Sequence, residues 1–540
     1  MTIIVGDKKN TMTAFTYSDL SLVEDWRNRL VWPIDTLALR EQGALVMRKS
    51  ISFIEQVKDD LARQVLIVGL SQIVNRFQAL SEAAMVASAS EELSFQIVGG
   101  PPELAALTHD AHLSKLVSDA ATIKSIELID SPRHALLRQV ARTHSYTPWY
   151  RMPRAMMALD GLMVSHNNLL IQDIRQRGKA VRFVHAVWFL SEIRKNNSTR
   201  NSDTSNTVSS IYLRDLLKNL VEIVPNLNAQ YQQRLLAIME LEISAEINKV
   251  EADVVELHKR SDIPQVMWSG TNGAYPTRLI ASEVVRRNGE VNGFDHGGVT
   301  GITQLAELTS VVELLTTTSF TVATPKWKDL VEQSVSPSVA KPINRSRVRS
   351  GGGEPTFRAA FRDGLSSPAR KPRVIYVGHP YRGLRQFAIS AIPDSIYWDF
   401  QERLVAQLLE MPVDLLCKPH PEGFFRGATV PIQDIAPTSY KRFEEHLDDA
   451  DVFLFDAPTS TTFMEALCTR RRVVLIDRGH YPFSAGVKPH ALERCVIVRA
   501  RCDDVGRMSV DKDELADALL AADLEPDPTW FRNMLTGHAA

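Results

Sequence analysis

The chain is 540 residues long, more than one hydrophobic core usually serves, so two domains are expected. Hydrophobic residues make up 44% and charged residues 23%, which excludes a disordered chain, a collagen-like fibre and a coiled-coil rod. Against 64 Asp+Glu stand 62 Lys+Arg, a net charge of −2, so no global positive field exists to hold DNA or RNA.

The first ninety residues predict helix: Trp26, Leu30, Ile34 and Leu37 recur at spacings of three and four, and 51–84 carries a similar apolar face. Leu93 to Val98 alternates like a strand and stops at Gly99-Gly100-Pro101-Pro102. Gly161 to Ser165, a helix to Arg177 with a Gly178 stop, and Val181 to His185 form a strand, helix, strand unit, which implies parallel pairing. Residues 196–210 read as a polar loop, and 235–258 as a long helix with Ile243, Ile247, Val250, Val254 and Leu257 on one stripe. Strands are then expected at 265–268, 290–294 and 319–323, with helices between them.

Residues 336–372 read as a linker rich in Pro, Gly and Ser. Between Lys341 and Arg373 lie nine Lys/Arg and two Asp/Glu. A solvated linker is the plain interpretation; a basic patch on anionic lipid is the sharper one. Beyond it, strands at 373–378, 413–417, 451–455, 472–476 and 495–498 alternate with helices, the pattern of a doubly wound parallel sheet. The chain thus divides into a helical region 1–90, a Rossmann-like unit 91–335, the linker 336–372 and a second Rossmann-like unit 373–540. The cysteines Cys417, Cys468, Cys495 and Cys502 show neither CxxC nor zinc spacing and suit a reducing cytoplasm. No run of about 18 apolar residues and no secretory signal is present in the sequence.

Ligands of doubly wound sheets bind beyond the carboxyl ends of the strands. Three such segments stand out in the second unit: Gly378 to Gly383 with Arg382, Lys418-Pro419-His420-Pro421-Glu422, and Asp456 to Thr462 with Glu465 one turn into the following helix. The hydroxyls Thr459, Ser460, Thr461 and Thr462 at a helix start, with Lys418 and His420 expected at the tip of the adjacent strand, can grip a phosphate, and Glu465 can accept from a ribose. Singly, Pro-His-Pro reads as a rigid turn and the hydroxyl run as an N-cap. In the first unit, Asp295-His296-Gly297-Gly298 ends a strand. Asp295 or His296 can deprotonate an acceptor hydroxyl, and Gly297 lets backbone approach a ligand; a capped turn is the alternative. Arg278 offers a clamp for a substrate anion, or a surface ion pair.

The run Lys418-Pro419-His420-Pro421, followed by Ser460-Thr461 and Glu465-Ala466-Leu467, resembles the donor half of bacterial GT-B glycosyltransferases. The sialyltransferases and Kdo transferases of capsule and lipopolysaccharide assembly are the nearest in pattern, and CDP-glycerol glycerophosphotransferases share it. The resemblance covers about 260–330 and 373–500. It implies an α/β, GT-B-like fold: two Rossmann-like domains facing a cleft. It also implies an inverting, metal-independent transferase without a resident cofactor. Its donor would be a CMP-activated sugar acid, and its acceptor a glycan or lipid-linked glycan of the bacterial surface. Work at the inner face of the cytoplasmic membrane follows, with peripheral membrane contact. His420, Ser460 and Thr461 would hold the nucleotide phosphate and Glu465 the ribose. A glycerophosphotransferase, a nucleotide-sugar epimerase and a non-catalytic nucleotide-sugar-binding assembly protein are the alternatives.

Overall fold

The computed structural model describes residues 15–16, 31–93, 96–97, 107, 132–195, 208–304, 306–334, 346–361, 371–381, 392–420, 431–521 and 526–537. Two short strands, β1 (Phe15–Thr16) and β2 (Gln96–Ile97), pair in parallel. The first large sheet holds β3 (Leu162–Ser165), β4 (Arg182–Phe183), β5 (Val266–Ser269), β6 (Glu290–Phe294), β7 (Ser319–Val322) and β8 (Arg347–Ser350). The second holds β9 (Arg373–Val377), β10 (Asp414–Lys418), β11 (Val452–Phe455), β12 (Arg472–Asp477), β13 (Val496–Cys502) and β14 (Met508–Val510).

Both sheets are six-stranded and share one order. The first runs β4-β3-β5-β6-β7-β8 and the second β10-β9-β11-β12-β13-β14. Every pair in them is parallel except β13 with β14. The molecule is therefore α/β with two mostly parallel sheets, compatible with two Rossmann-like domains. Strands such as Val452-Phe-Leu-Phe455 are buried along their whole length, as sheets covered on both faces require.

The chain direction and this order bring the carboxyl edges of the two sheets together. The loop after β6 bonds to the loop after β12: the Gln304 amide donates to Pro482 O at 2.9 Å, and the Ser484 amide to Ile302 O at 2.9 Å. The last helix, Thr529–Thr536, returns to the first sheet, where Thr324 Oγ1 donates to Met534 O and the Glu354 amide to Leu535 O. One buried cluster joins Phe320 and Val322 of β7 to Phe453, Phe455 and Leu475 of the second sheet.

The helices Thr36–Gln56 and Asp60–Leu93 form no separate domain. Helix Asp60–Leu93 packs on helix Ala229–Lys259, so tightly that a Cβ on Gly69 would collide with Ile247. Residues at and just before the start of helix Thr36–Gln56 reach the second unit. The Trp32 amide donates to Val505 O, and Thr36 Oγ1 lies 3.0 Å from buried His480. The expected early helix residues Trp26 and Leu30, and the polar loop over 196–207, lie outside the described residues. No helix among the described residues is long and apolar enough to cross a membrane.

Two expectations change. The segment 336–372 is not linker throughout, because Arg347–Ser350 is the sixth strand of the first sheet and Pro355–Ala359 a short helix. Its Arg-Val-Arg-Ser alternation suits a charged edge strand. Gly353, at φ +92°, lies where a Cβ would meet Thr536 O at 2.5 Å, so the glycines allow close backbone approach. Second, β10 and β11 are consecutive strands of the sequence pattern, expected side by side, yet β9 stands between them in the sheet. Their tips are two strand spacings apart, about 10 Å.

Candidate functional site

The order β10-β9-β11 reverses direction at β9, and the equivalent point in the first sheet is β3. Crevices form at such reversals, beyond the carboxyl ends of the strands. Across the first stands Asn167, whose Nδ2 donates to Gly270 O and to Asp295 O, both at 2.9 Å. Asn167 thereby ties the ends of β3, β5 and β6 together.

Asp295 follows β6 and is buried. Its Oδ1 accepts from the Thr300 hydroxyl and amide, while its Oδ2 is buried with no hydrogen-bond partner. Burial holds its carboxyl above the usual range, and the Thr300 hydrogen bonds oppose this. His296, next to it, is exposed. Gly297 has φ +75°, a left-handed conformation, and a Cβ there would overlap Thr461 Oγ1 and lie 2.8 Å from Thr461 Cβ. The hydroxyl segment after β11 therefore meets the Asp-His-Gly segment after β6 directly.

Ser460 is the N-cap of helix Thr461–Leu467: its Oγ accepts from the Phe463 amide at 3.1 Å and lies 2.9 Å from Thr462 Oγ1. The capping interpretation thus holds for Ser460, while Thr459 and Thr461 are half-buried. Glu465, on the same helix, is buried, and its Oε2 has no hydrogen-bond partner. Burial, then the Glu444 carboxylate, pushes its carboxyl up to about 8. Lys418, at the tip of β10, is buried, and burial lowers its ammonium while Glu444 and Glu465 oppose that. Lys418 and Glu465 thus feel one another although their strands are not neighbours. His420 is half-buried at the same tip. Arg382 lies outside the described residues.

Arg278 is not at the cleft. It is buried, with its guanidinium bonded to Val68 O, Gly273 O and Gln72 Oε1, so it joins helix Tyr275–Arg286 to helix Asp60–Leu93. A guanidinium enclosed by backbone carbonyls cannot clamp a substrate, and the expected binding role gives way to packing.

Three acids near these segments carry no expected role from the sequence: Glu313, Glu354 and Asp456, the last named only as the first residue of the hydroxyl segment. Glu313 accepts from the Asn272 amide at 2.9 Å and Thr271 Oγ1 at 2.7 Å, and burial pushes it up to about 7. Glu354 accepts from Thr356 Oγ1 at 2.9 Å and is also raised to about 7, mainly by burial. Asp295 raises both of these, and Glu354 raises Glu465. Carboxyls within such reach do not all ionise together. The third, Asp456, is buried after β11 and accepts from Tyr376 Oη at 2.6 Å, Tyr397 Oη at 2.7 Å and the His379 amide at 2.8 Å. Arg478 lies 4.0 Å from it and 4.8 Å over the Tyr397 ring. A cavity of about 160 Å³ opens beside this group, lined by Asp456, Pro458, Arg478, Tyr481 and Lys488 of the second unit and Gln304 of the first. The position of Asp456 directly after an apolar strand was the available signal.

No protein-family model matches the chain, and a search of curated proteins finds no match.

Proposed function

We propose that the protein is an inverting, metal-independent glycosyltransferase of GT-B architecture. It moves a sugar from a nucleotide donor, a CMP-activated sugar acid such as Kdo or a sialic-acid-like sugar, to a bacterial surface glycan. One observation supports this: the Gly297–Thr461 contact sets a segment with acid–base groups against a segment with hydroxyls and Glu465, whose carboxyl interacts electrostatically with Lys418 at the tip of β10.

The chemistry is a single displacement. The acceptor hydroxyl oxygen bonds the anomeric carbon as the bond from that carbon to the phosphate oxygen breaks, and its electron pair leaves on the nucleotide phosphate. The hydroxyl proton passes to His296, the exposed member of the Asp295–His296 pair, with buried Asp295 fixed behind it by Thr300. Lys418, His420 and the hydroxyls of Thr459 and Thr461 stabilise the charge on the leaving phosphate. Glu465, with its carboxyl near 8, is protonated at neutral pH, so it both donates to and accepts from the ribose hydroxyls.

Incubation with CMP-linked sugar acids and, separately, CDP-glycerol tests this. Transfer from the CMP-sugar with inverted configuration supports it. Retained configuration, turnover of CDP-glycerol alone, or donor binding without transfer to any glycan acceptor overturns it.

A further inference from the structure

Among the described residues, four of the exposed large hydrophobics fall in one short stretch: Trp149 (79% exposed), Tyr150 (61%), Met157 (69%) and Leu159 (59%). The stretch is ordered, not frayed. Its backbone closes on itself through the Ala158 amide to Ala155 O at 2.8 Å and the Gly161 amide to Ala158 O at 3.0 Å. Arg182 Nη1 donates to Met156 O at 3.2 Å, and Trp268 Nε1 to Asp160 O at 3.0 Å. The scaffold therefore holds two rings, one thioether and a leucine in water, at a solvation cost that an ordinary surface avoids.

Cations surround them. Arg151 lies 5.5 Å over the Tyr150 ring, and its guanidinium fills the space beside Gly178. That places Trp149 and Tyr150 next to the exposed Arg175, Arg177 and Lys179. The three nearby acids are each paired: Asp160 with Arg154 at 2.9 Å, Asp173 with Arg177 at 2.9 Å, and Asp262, beside Met157 and Leu159, with Arg260 at 2.5 Å.

We propose that this surface docks on an anionic phospholipid bilayer. Tryptophan and tyrosine suit the headgroup layer, where one side of the ring is apolar and the other wet, and arginines beside them meet lipid phosphate. A second copy of the chain fits poorly, because a two-fold contact would lay this cationic patch on itself. Charged residues are also depleted at protein interface cores. The patch sits at the amino ends of β3 and β4, whereas the cleft lies at the carboxyl ends of the strands. Docking therefore leaves the cleft open, and the inference stands apart from the transferase proposal.

Co-sedimentation of the full chain tests it, with vesicles of phosphatidylcholine alone and of phosphatidylcholine mixed with phosphatidylglycerol. Binding is expected only to the mixed vesicles and weakens with salt. The double variant Trp149→Ser/Tyr150→Ser lowers partitioning by about tenfold or more. Arg151→Ser and Lys179→Ser each lower it roughly fivefold. Trp149, Tyr150 and Lys179 are exposed and Arg151 is half-buried beside Gly178, so an unchanged thermal midpoint is the check that each variant folds. Absence of binding to the mixed vesicles at low salt overturns the proposal. So does full binding by the ring double variant, which would assign lipid contact to the basic segment 341–373. Dimer formation lost in the ring variant, without vesicle binding, would assign the patch to a protein contact and overturn it too.

Discussion

Thr461 fills the space in which residue 297 would carry a side chain, so a glycine in the first unit and a threonine in the second form one packed contact between the two units. Its tightness makes it testable. Gly297→Ala adds a Cβ at positive φ and drives it into Thr461 Oγ1. The expected cost is about 1–3 kcal/mol, read as a lower thermal midpoint. Thr461→Ala removes the oxygen, so the double variant recovers more than about 0.5 kcal/mol of that loss. Strict additivity of the two changes would mean that the residues do not touch.

Arg278→Gln separates packing from binding. The guanidinium it removes is buried and bonded to Val68 O, Gly273 O and Gln72. Leaving those acceptors unpaired costs about 3 kcal/mol. The variant should unfold at lower temperature while its folded fraction binds donor with unchanged affinity, as calorimetry below the midpoint can check. A large loss of affinity in folded protein would return Arg278 to the substrate.

Acidic groups with raised folded values make stability depend on pH in a defined direction. Glu465 and Glu354 are pushed up to about 8 and about 7, so between their unfolded value near 4.5 and these values the native state binds more protons. Their contribution is complete below about pH 4.5 and is lost as pH rises through 7 to 8. Glu465→Gln keeps the neutral shape and should raise the midpoint by roughly 2–4 °C at pH 8 relative to the parent, with little change at pH 4.5. An equal shift at both values would mean that Glu465 is not held protonated.

His296→Ala should lower kcat by about 10²–10⁴ with little change in KM, since proton removal is needed only in the transition state. Asp295→Asn should lower kcat less, because its role is through His296. The opposite ranking, measured in the same transfer assay, would make Asp295 the base.

Asp456→Ala should be among the most damaging single changes, because two tyrosine hydroxyls, the His379 amide and Arg478 lose their shared acceptor. The expected loss is about 3–5 kcal/mol, against about 1 kcal/mol for Tyr397→Phe. Chemical denaturation of both variants measures the difference.

Much of the fold was legible because strands such as Val452–Phe455 are uniformly apolar, and because the regular alternation of strand and helix patterns places even the mixed run Glu290-Val-Asn-Gly-Phe294. The strands at 290–294 and 452–455 stand at or within a residue of their expected limits. The edge strand Arg347–Ser350 was not legible, since half its residues are arginines facing an open edge and its glycine-rich neighbourhood reads as linker. Strand order was not legible either. Lys418 and Ser460 follow consecutive strands of the sequence pattern, but only tertiary pairing inserts β9 between them. The Asp295 segment and the hydroxyl segment could be named from residue type and position. That they touch could not, because the contact depends on how two sheets meet. Arg278 was misassigned for a related reason: an arginine near a strand end looks solvent-facing until a helix from residues 60–93 is packed over it.

The central claim is that the cleft beneath Gly297 and Thr461 binds an activated cytidylate. Thermal unfolding with CMP, CDP, UDP and GDP, repeated on His420→Ala, measures this most directly. A rise of the midpoint with CMP that disappears in the variant is the predicted result. No rise with CMP, or a rise that survives the loss of the imidazole, would contradict it.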